Sequence, residues 1–187
     1  MYRVAMYLLQ QPDWWGNITR VTDALTVLLL TWNASFYRYS GGYLNGDRLE
    51  NCLRDNWDEI ERFHDRDIMS FVQSDKPEIT RLFNCFLNAL RINTSKTNAA
   101  RLSPVGAAKA LHLLAPNFFP IWDGEIARRY GCGFSQQGKE AGTKYVKFLE
   151  EIRVVAAALQ GPPLKTGKTL VKQIDEYNYA KFSKGWI

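Results

Sequence analysis

The stretch LSPVGAAKALHLLAPNFFPIWDGEIARRYG, residues 102 to 131, says most about the fold of this 187-residue chain. Ser103 and Pro104 suit the cap and the first position of a helix, which the small residues after them would continue. An aromatic, proline-containing loop comes next, and Asp123 begins a short helix that ends at Gly131. We therefore predict two helices joined by a tight apolar loop, with one carboxylate at the start of the second helix.

The charges around this stretch are unevenly distributed. No acidic residue lies between Glu78 and Asp123, and this segment carries the bases Arg81, Arg91, Lys96, Arg101 and Lys109. Residues 46–78, in contrast, contain ten acids and five bases, and the rest of the chain contains 19 bases and 9 acids. Such asymmetry favours a polyanionic partner, and the alternative is a set of helical faces that are merely solvated.

Length and composition bound the class of protein. With 46% hydrophobic residues the chain can bury a sizeable core, so we expect one compact domain over residues 1–187, with a division into lobes 1–92 and 93–187 left open. Its apolar runs are too short to cross a bilayer and no leader cleavage site is evident, which predicts a cytoplasmic protein. Three separated cysteines and two histidines lead us to expect no metal and no cofactor.

Helical periodicity runs through the rest of the chain. Apolar residues at three- and four-residue spacing predict helices over residues 17–33, 45–63, 77–92, 139–159 and 166–182, with Asn17 capping the first of them. We predict a loop over residues 93–101 and no β-strand. The expected fold class is all-α.

The segment GPPLKTGKT, residues 161 to 169, is similar to a phosphate-binding P-loop but lacks its requirements. Five residues rather than four separate the first two glycines, and Pro162 and Pro163 stand where free backbone N–H groups are needed. We interpret the segment as a helix break in which Thr166 caps the last helix.

Residues 102 to 126 resemble the helix-hairpin-helix DNA glycosylase superfamily. Leu102, Val105, Gly106, Ala110 and Leu114 match its hairpin and second helix, and the run PIWDGEI, residues 120 to 126, matches the loop that ends in its catalytic Asp. The resemblance implies an all-helical, bilobal enzyme with a helix-hairpin-helix-like DNA-binding element. It also implies that the enzyme flips a nucleotide out of the duplex and excises a damaged or modified base by hydrolysing its N-glycosidic bond.

The resemblance places DNA contacts at the start of the first helix. Backbone N–H groups there lack intrahelical acceptors and lie at the positive end of the helix dipole, so they can hold a phosphate. We expect this role for Ser103, Val105, Gly106, Ala107 and Ala108, with further DNA contacts from Arg91, Lys96, Arg101 and Arg128.

Asp123 is the expected catalytic carboxylate. Such a group stabilises the positive sugar that forms as the glycosidic bond breaks, or orients the attacking water, whereas the alternative is a simple helix cap. A flipped base also needs flat walls, for which the candidates are Phe118, Phe119, Trp122, His112, Trp32 and Tyr37. For His112 the alternative is a histidine of the core.

Lys109 is the second candidate catalytic residue. The Schiff-base lysine of superfamily members with lyase activity aligns with Ala108, and one position is about 100° of rotation around a helix. A partly buried lysine in a cationic region has the lowered pKa that a nucleophilic amine needs. The alternative, which the alignment favours slightly, is a lysine that binds a phosphate.

Two other functions fit parts of the sequence. A non-catalytic helix-hairpin-helix module explains the charge equally well, and an interaction protein whose residues 46–78 dock a basic partner explains the charge division but not the run from Pro120 to Asp123. We expect a monomer that binds DNA and no membrane. The identity of the base, the lyase activity, and the choice between repair and defence against modified foreign DNA, such as phage genomes, stay open.

Overall fold

The structure, a computed structural model, describes residues 2–9, 11, 13–37, 42–94, 100–134, 140–159 and 167–187. Its helices are α1 (Tyr2–Leu9), α2 (Ile18–Trp32), α3 (Ala34–Tyr37), α4 (Gly46–Asp55), α5 (Trp57–His64), α6 (Lys76–Ala89), α7 (Pro104–Leu114), α8 (Gly124–Arg129), α9 (Ala141–Ala158) and α10 (Leu170–Asn178). Two 3₁₀ turns, Ile68–Ser70 and Gln73–Asp75, precede α6, and a π-helix, Tyr179–Lys184, continues α10. The predicted all-α class is confirmed.

A small antiparallel sheet was not predicted, and neither were the short helices α1 and α3. Strands β1 (Gly42–Leu44), β2 (Ile92–Thr94) and β3 (Ala100–Arg101) lie in the order β1-β2-β3, with Ile92 paired to both Leu44 and Arg101. Strands of two or three residues are too short to show an alternating pattern, which explains why 93–101 was predicted as loop. The sheet holds Arg101 directly before α7.

Helix ends follow side-chain caps, and one cap divides a predicted helix. Asn17 accepts a hydrogen bond from the Arg20 N–H at 3.2 Å, as predicted. The predicted helix over 45–63 instead breaks at Asn56, which is buried. Its amide donates to the Cys52 carbonyl at 2.7 Å and its oxygen accepts from Arg81 at 2.6 Å, so the side chain competes with the helical ladder.

The last helix begins later than predicted. Thr169, rather than Thr166, caps α10 by accepting from the Lys172 N–H at 3.1 Å, and Thr166 lies outside the described residues. The Thr169 hydroxyl also donates to the Pro116 carbonyl at 2.9 Å. This second bond explains the start of α10, because it fixes the helix against the loop that follows α7.

Helix α7 lies at the centre of the molecule and packs against α1, α2 and α6. Nearly all of its residues are buried, and one hydrophobic cluster extends from Ala5 in α1 to Ile174 in α10. Within α7, only Val105 and Lys109 are partly exposed. They are four residues apart and therefore share one face of the helix. In the part of the chain that the structure describes, no helix is long and apolar enough to cross a membrane.

Candidate functional site

A cavity of about 340 Å³ brings together three of the residues predicted for the site. Lys109 from α7, Asp123 from the start of α8 and Trp32 from the end of α2 all line it. The remaining lining residues are Ile121, Lys172, Asp175, Glu176 and Tyr179. The cavity thus joins both predicted catalytic residues, which are 14 positions apart in the chain, to one aromatic wall.

The orientation of α7 selects Lys109 rather than Ala108 for this cavity. Ala108 is fully buried, whereas Lys109 lies on the partly exposed face of the helix. The rotation of about 100° between adjacent positions separates the two side chains. A lysine at the position that aligns with the superfamily would therefore point into the core of this protein.

Burial changes the acid–base behaviour of Lys109. Its amine donates to the Trp32 carbonyl at 2.9 Å and lies 5.0 Å from the centroid of the Trp32 ring. Burial lowers the pKa of Lys109 to about 8, although the charges of Asp175 and Asp123 oppose the change and that of Lys172 adds to it. At pH 7 roughly a tenth of the amine is consequently uncharged.

Asp123 is fixed by its position at the start of α8. One carboxylate oxygen, Oδ1, accepts from the Glu125 N–H at 3.0 Å, and the backbone carbonyl accepts from Ala127 at 2.8 Å. The side chain remains partly exposed and faces the cavity. The cap therefore orients the carboxylate without burying it, so that the predicted cap and the predicted catalytic group are compatible.

The backbone at the start of α7 is not arranged as predicted for phosphate binding. The Ser103 hydroxyl accepts from the Gly106 N–H and the Ser103 carbonyl from the Ala107 N–H, both at 3.0 Å. Gly106, Ala107 and Ala108 are all buried, and Asn33 donates to the same hydroxyl at 3.0 Å. Ser103 therefore already accepts from two of the expected phosphate donors, the Gly106 and Ala107 N–H groups, whereas a phosphate contact at the partly exposed Val105 stays a prediction.

Gly106 serves close packing rather than access to the backbone. A Cβ at this position would lie 2.5 Å from the Tyr37 hydroxyl and 2.9 Å from the Ser103 hydroxyl. Tyr37 is itself buried and donates to the Leu90 carbonyl at 3.3 Å, and burial raises the pKa of its hydroxyl. Tyr37 therefore belongs to the core, and its predicted place in a base pocket is corrected.

The three aromatic residues nearest Asp123 in sequence are also in the core. Phe118, Phe119 and Trp122 are almost completely buried. The Phe118 ring lies 4.8 Å from that of Phe63, and the Trp122 ring lies 5.6 Å from that of Tyr145. Because neighbouring side chains cover these rings, they leave no face for a flipped base, and the prediction that they form its walls is wrong for this structure. Trp32 alone of the predicted aromatic walls lines the cavity that holds Asp123.

His112 is a core histidine, the alternative that the sequence left open. Its side chain is fully buried, and its Nδ1 lies 2.7 Å from the Phe119 carbonyl. Burial lowers the pKa of His112 to about 3, so the ring is neutral and its Nδ1 donates that bond. Base contact by His112 is therefore corrected to anchoring of the loop that leads to Asp123.

The predicted DNA-contacting cations differ in how they are placed. Arg101 is exposed and lies 5.4 Å from the centroid of the Phe36 ring. Arg128 forms an ion pair with Glu125, which reduces its availability to a phosphate. Arg91 is partly buried, and its carbonyl accepts from Arg48 at 2.9 Å. Lys96 lies outside the described residues.

A second cavity, of about 440 Å³, lies at the start of α7. Arg101, Ser103 and Val105 line it together with aromatic side chains from Phe36 and Phe134. Because Val105 and Lys109 share the partly exposed face of α7, the two cavities flank the same face of this helix. Three of the predicted DNA contacts therefore lie beside the candidate site.

Helix α10 and the π-helix form one side of the first cavity, and none of their lining residues was predicted from the sequence. Lys172, Asp175, Glu176 and Tyr179 all line the first cavity. Their spacing places them on one helical face, so the signal that would have found them is a polar stripe beside the apolar Val171 and Ile174. Among the described residues, no group of three or more His, Cys, Asp or Glu side chains is placed to hold a metal ion.

The cavity can therefore stabilise a developing positive charge with Asp123, present a partly uncharged amine with Lys109 and offer one aromatic surface with Trp32.

The chain matches no protein-family model, no curated protein and no solved structure.

Proposed function

We propose that this protein is a DNA glycosylase that receives a flipped damaged or modified base in the cavity lined by Trp32, Lys109 and Asp123. One observation carries the proposal: a single cavity holds a fixed carboxylate and an amine whose pKa is lowered to about 8. Perturbed ionisable groups in a cleft are typical of catalytic sites. The volume of about 340 Å³ lies in the range of small-molecule pockets.

Asp123 and Lys109 have complementary roles in this reaction. As the bond between the base and C1′ of the sugar breaks, its electron pair leaves with the base, and the Asp123 carboxylate stabilises the positive sugar. The uncharged Lys109 amine attacks C1′ and forms a C–N bond. Its proton passes to the leaving base or to solvent. The C1′–O4′ bond of the sugar then breaks, the nitrogen lone pair completes a C=N Schiff base, and the ring oxygen takes up a proton to become a hydroxyl.

The burial of Lys109 favours this role over phosphate binding. A phosphate-binding lysine extends a fully charged amine into solvent, whereas the Lys109 amine is held against the Trp32 carbonyl and burial lowers its pKa, so that roughly a tenth of it is uncharged at pH 7. The alignment slightly favours a phosphate-binding role for Lys109. The burial of the amine leads us to propose the Schiff-base role instead.

The exposed Arg101 and the excess of bases outside residues 46–78 would attract the DNA. A non-catalytic DNA-binding module uses the same charges, but it does not account for an amine with a lowered pKa in the cavity. The proposal includes a monomer acting on DNA in the cytoplasm, in repair or in defence against modified foreign DNA.

The test is incubation with labelled duplexes that carry a panel of lesions and modified bases. Strand breaks are read with and without alkali, and covalent adducts are trapped with borohydride. We expect release of at least one base and a trapped adduct. Asp123→Asn should bind DNA and release no base, and Lys109→Gln should lose the adduct.

Glu125→Gln is the matched control, because Glu125 is an exposed carboxylate two positions from Asp123 and does not line the cavity. It should still release the base, with DNA binding unchanged or tighter, because the substitution frees Arg128 from its ion pair. Base release by Asp123→Asn at the wild-type rate would overturn the assignment of Asp123. DNA binding without release of any base in the panel would favour the binding module.

A further inference from the structure

The candidate site contains a second lysine, Lys172, which is ion-paired inside the cavity. Its amine lies 2.5 Å from the Asp175 carboxylate, and the two side chains are only 8% and 12% exposed. Both residues belong to α10, one turn apart, and line the cavity with Lys109. An ion pair buried to this extent costs desolvation energy, so its presence beside a candidate catalytic amine calls for a function.

Two lysine amines share a single indole at this site. The Lys109 and Lys172 amines lie 5.0 and 5.5 Å from the centroid of the Trp32 ring. Like charges this close disfavour each other, and burial strengthens the effect. A carboxylate between them would offset the repulsion.

Asp175 meets this requirement. Besides its contact with Lys172, its charge raises the pKa of Lys109 and so opposes the effect of burial, while Lys172 acts in the other direction. Burial raises the pKa of Tyr2, which packs on Lys172, to about 12, so its hydroxyl is uncharged. The remaining groups that line the cavity and can carry charge are Asp123 before α8, Glu176 on α10 and Tyr179 on the π-helix.

We propose that Asp175 and Lys172 form a positioning pair for Lys109, in which the Asp175 carboxylate holds the Lys172 amine in the cavity and the charges of the pair set the fraction of Lys109 that is uncharged. Asp175 and Lys172 need not touch the substrate in this role, because they act through Lys109. The inference rests on the proposed function only in treating Lys109 as the reacting amine.

The pair predicts opposite effects for its two members. Asp175→Asn removes the negative charge and leaves Lys172 with only the more distant Glu176, at 3.9 Å, so Lys109 becomes harder to protonate. Lys172→Met removes the neighbouring cation, so Lys109 becomes easier to protonate. A role in packing alone gives no such opposition, because both substitutions then disturb the same contact of α10.

The experiment measures the titration of Lys109 without DNA. The full chain is trace-labelled with acetic anhydride from about pH 6 to 11, and the acetylated peptide that contains Lys109 is quantified by mass spectrometry. We expect the midpoint to move down by roughly one pH unit in Asp175→Asn and up by a similar amount in Lys172→Met. At pH 7 this corresponds to roughly fivefold more uncharged amine in Asp175→Asn and roughly ninefold less in Lys172→Met.

Two further variants complete the design. Lys172→Met/Asp175→Leu removes the pair as a unit and replaces it with apolar side chains, an exchange that proteins often tolerate even where single substitutions prevent folding. Its Lys109 midpoint should lie between those of the single variants and below that of wild type, because the charge of Asp175 affects Lys109 more strongly than that of Lys172 does. Glu61→Gln, at an exposed carboxylate that does not line the cavity, should leave the midpoint unchanged.

The inference is overturned if the Lys109 midpoint stays at its wild-type value in the double variant and in whichever single variants fold, or if both single variants move it in the same direction. Because no DNA is present, these outcomes are independent of base release. Opposite shifts in a protein that releases no base from any duplex would support the pair and count against the glycosylase.

Discussion

Lys109 combines two properties that oppose each other in a folded protein. Burial lowers its pKa from 10.5 to about 8, which provides an uncharged amine but also makes the native state less stable at neutral pH. Between these two pKa values the unfolded chain binds more protons than the folded chain. The free energy of unfolding therefore rises as the pH increases from about 8 to 10.5, and the destabilisation by Lys109 is fully present below about pH 8. The reactivity proposed for Lys109 would thus come at the expense of stability.

Replacement of Lys109 by Met should therefore stabilise the protein at pH 7. Methionine keeps the length of the side chain and removes the buried charge. The pKa difference corresponds to about 3 kcal/mol. The lost hydrogen bond to Trp32 and the cation–π contact offset part of it, so we expect a gain of about 1–2 kcal/mol.

Denaturant unfolding of both proteins at several pH values measures this effect. The gain should shrink as the pH rises from about 8 to 10.5 and disappear above that range. Lys147→Met, at an exposed lysine of α9, should change stability by less than about 0.5 kcal/mol at any pH. A Lys109→Met variant that is less stable than wild type at pH 7 would contradict the lowered pKa.

At the scale of the secondary-structure elements, periodicity and capping predicted most of the fold. Helix α2 begins after Asn17 and α7 after Ser103, as their residues indicate. The break at Asn56 and the start of α10 at Thr169 were not predicted, because each depends on a hydrogen bond to a distant residue. Bonds of that kind belong to tertiary structure and leave no local pattern.

Helix α7 shows the same limit for the candidate site. The sequence predicts a helix with a free, positive start, and the tertiary structure covers that start with Asn33 and Tyr37. The predicted site residues that line one cavity, Lys109, Asp123 and Trp32, come from a helix face, a helix cap and a helix end. The aromatic residues assigned by nearness in sequence are in the core, because a hydrophobic side chain beside a catalytic residue is as suited to packing as to binding.

The packing of α7 predicts a specific cost for Gly106→Ala. The new Cβ would lie 2.5 Å from the Tyr37 hydroxyl, which is buried and cannot move without losing its bond to Leu90. Overpacking of this kind costs about 1–3 kcal/mol and exceeds the gain in helix propensity from alanine. Denaturant unfolding gives the loss directly.

Gly46→Ala is the matched control, since Gly46 begins α4 and a Cβ there meets no atom within 4 Å. Its stability should be unchanged or slightly raised. Tyr37→Phe removes the hydroxyl that clashes with the new Cβ. Gly106→Ala should therefore cost less stability when it is added to Tyr37→Phe than when it is added to wild type. If Gly106→Ala matched the stability of wild type, the close contact with Tyr37 would have to be wrong.

At the scale of the whole molecule, four of the ten acids in the acidic segment 46–78 are in ion pairs. These pairs are Arg54–Glu50, Arg62–Glu78, Arg66–Asp75 and Arg81–Glu59, and Lys76 of the segment pairs with Glu150 of α9. Arg101, in contrast, stacks on the Phe36 ring beside the second cavity. The sequence predicts the charge division from composition alone, whereas only the structure shows which bases are paired with carboxylates.

This division predicts how DNA binding responds to salt. Each phosphate contact by a lysine or arginine releases counterions, so the logarithm of the affinity should fall linearly with the logarithm of the salt concentration. Arg101→Ala should weaken binding to all sequences alike and reduce the slope by about one. Fluorescence anisotropy with two unrelated labelled duplexes, at several salt concentrations, measures both quantities.

Arg62→Ala is the control for this measurement, because Arg62 is an exposed arginine of the acidic segment that is paired with Glu78. Removal of Arg62 lowers the net charge by the same amount as removal of Arg101 but takes away no expected phosphate contact. The slope of the Arg62→Ala variant should therefore equal that of wild type, with only a small uniform loss of affinity. Equal slopes for the Arg62→Ala and Arg101→Ala variants would mean that net charge, rather than the surface around Arg101, attracts the DNA. An affinity that is independent of salt would rule out a phosphate-binding surface altogether.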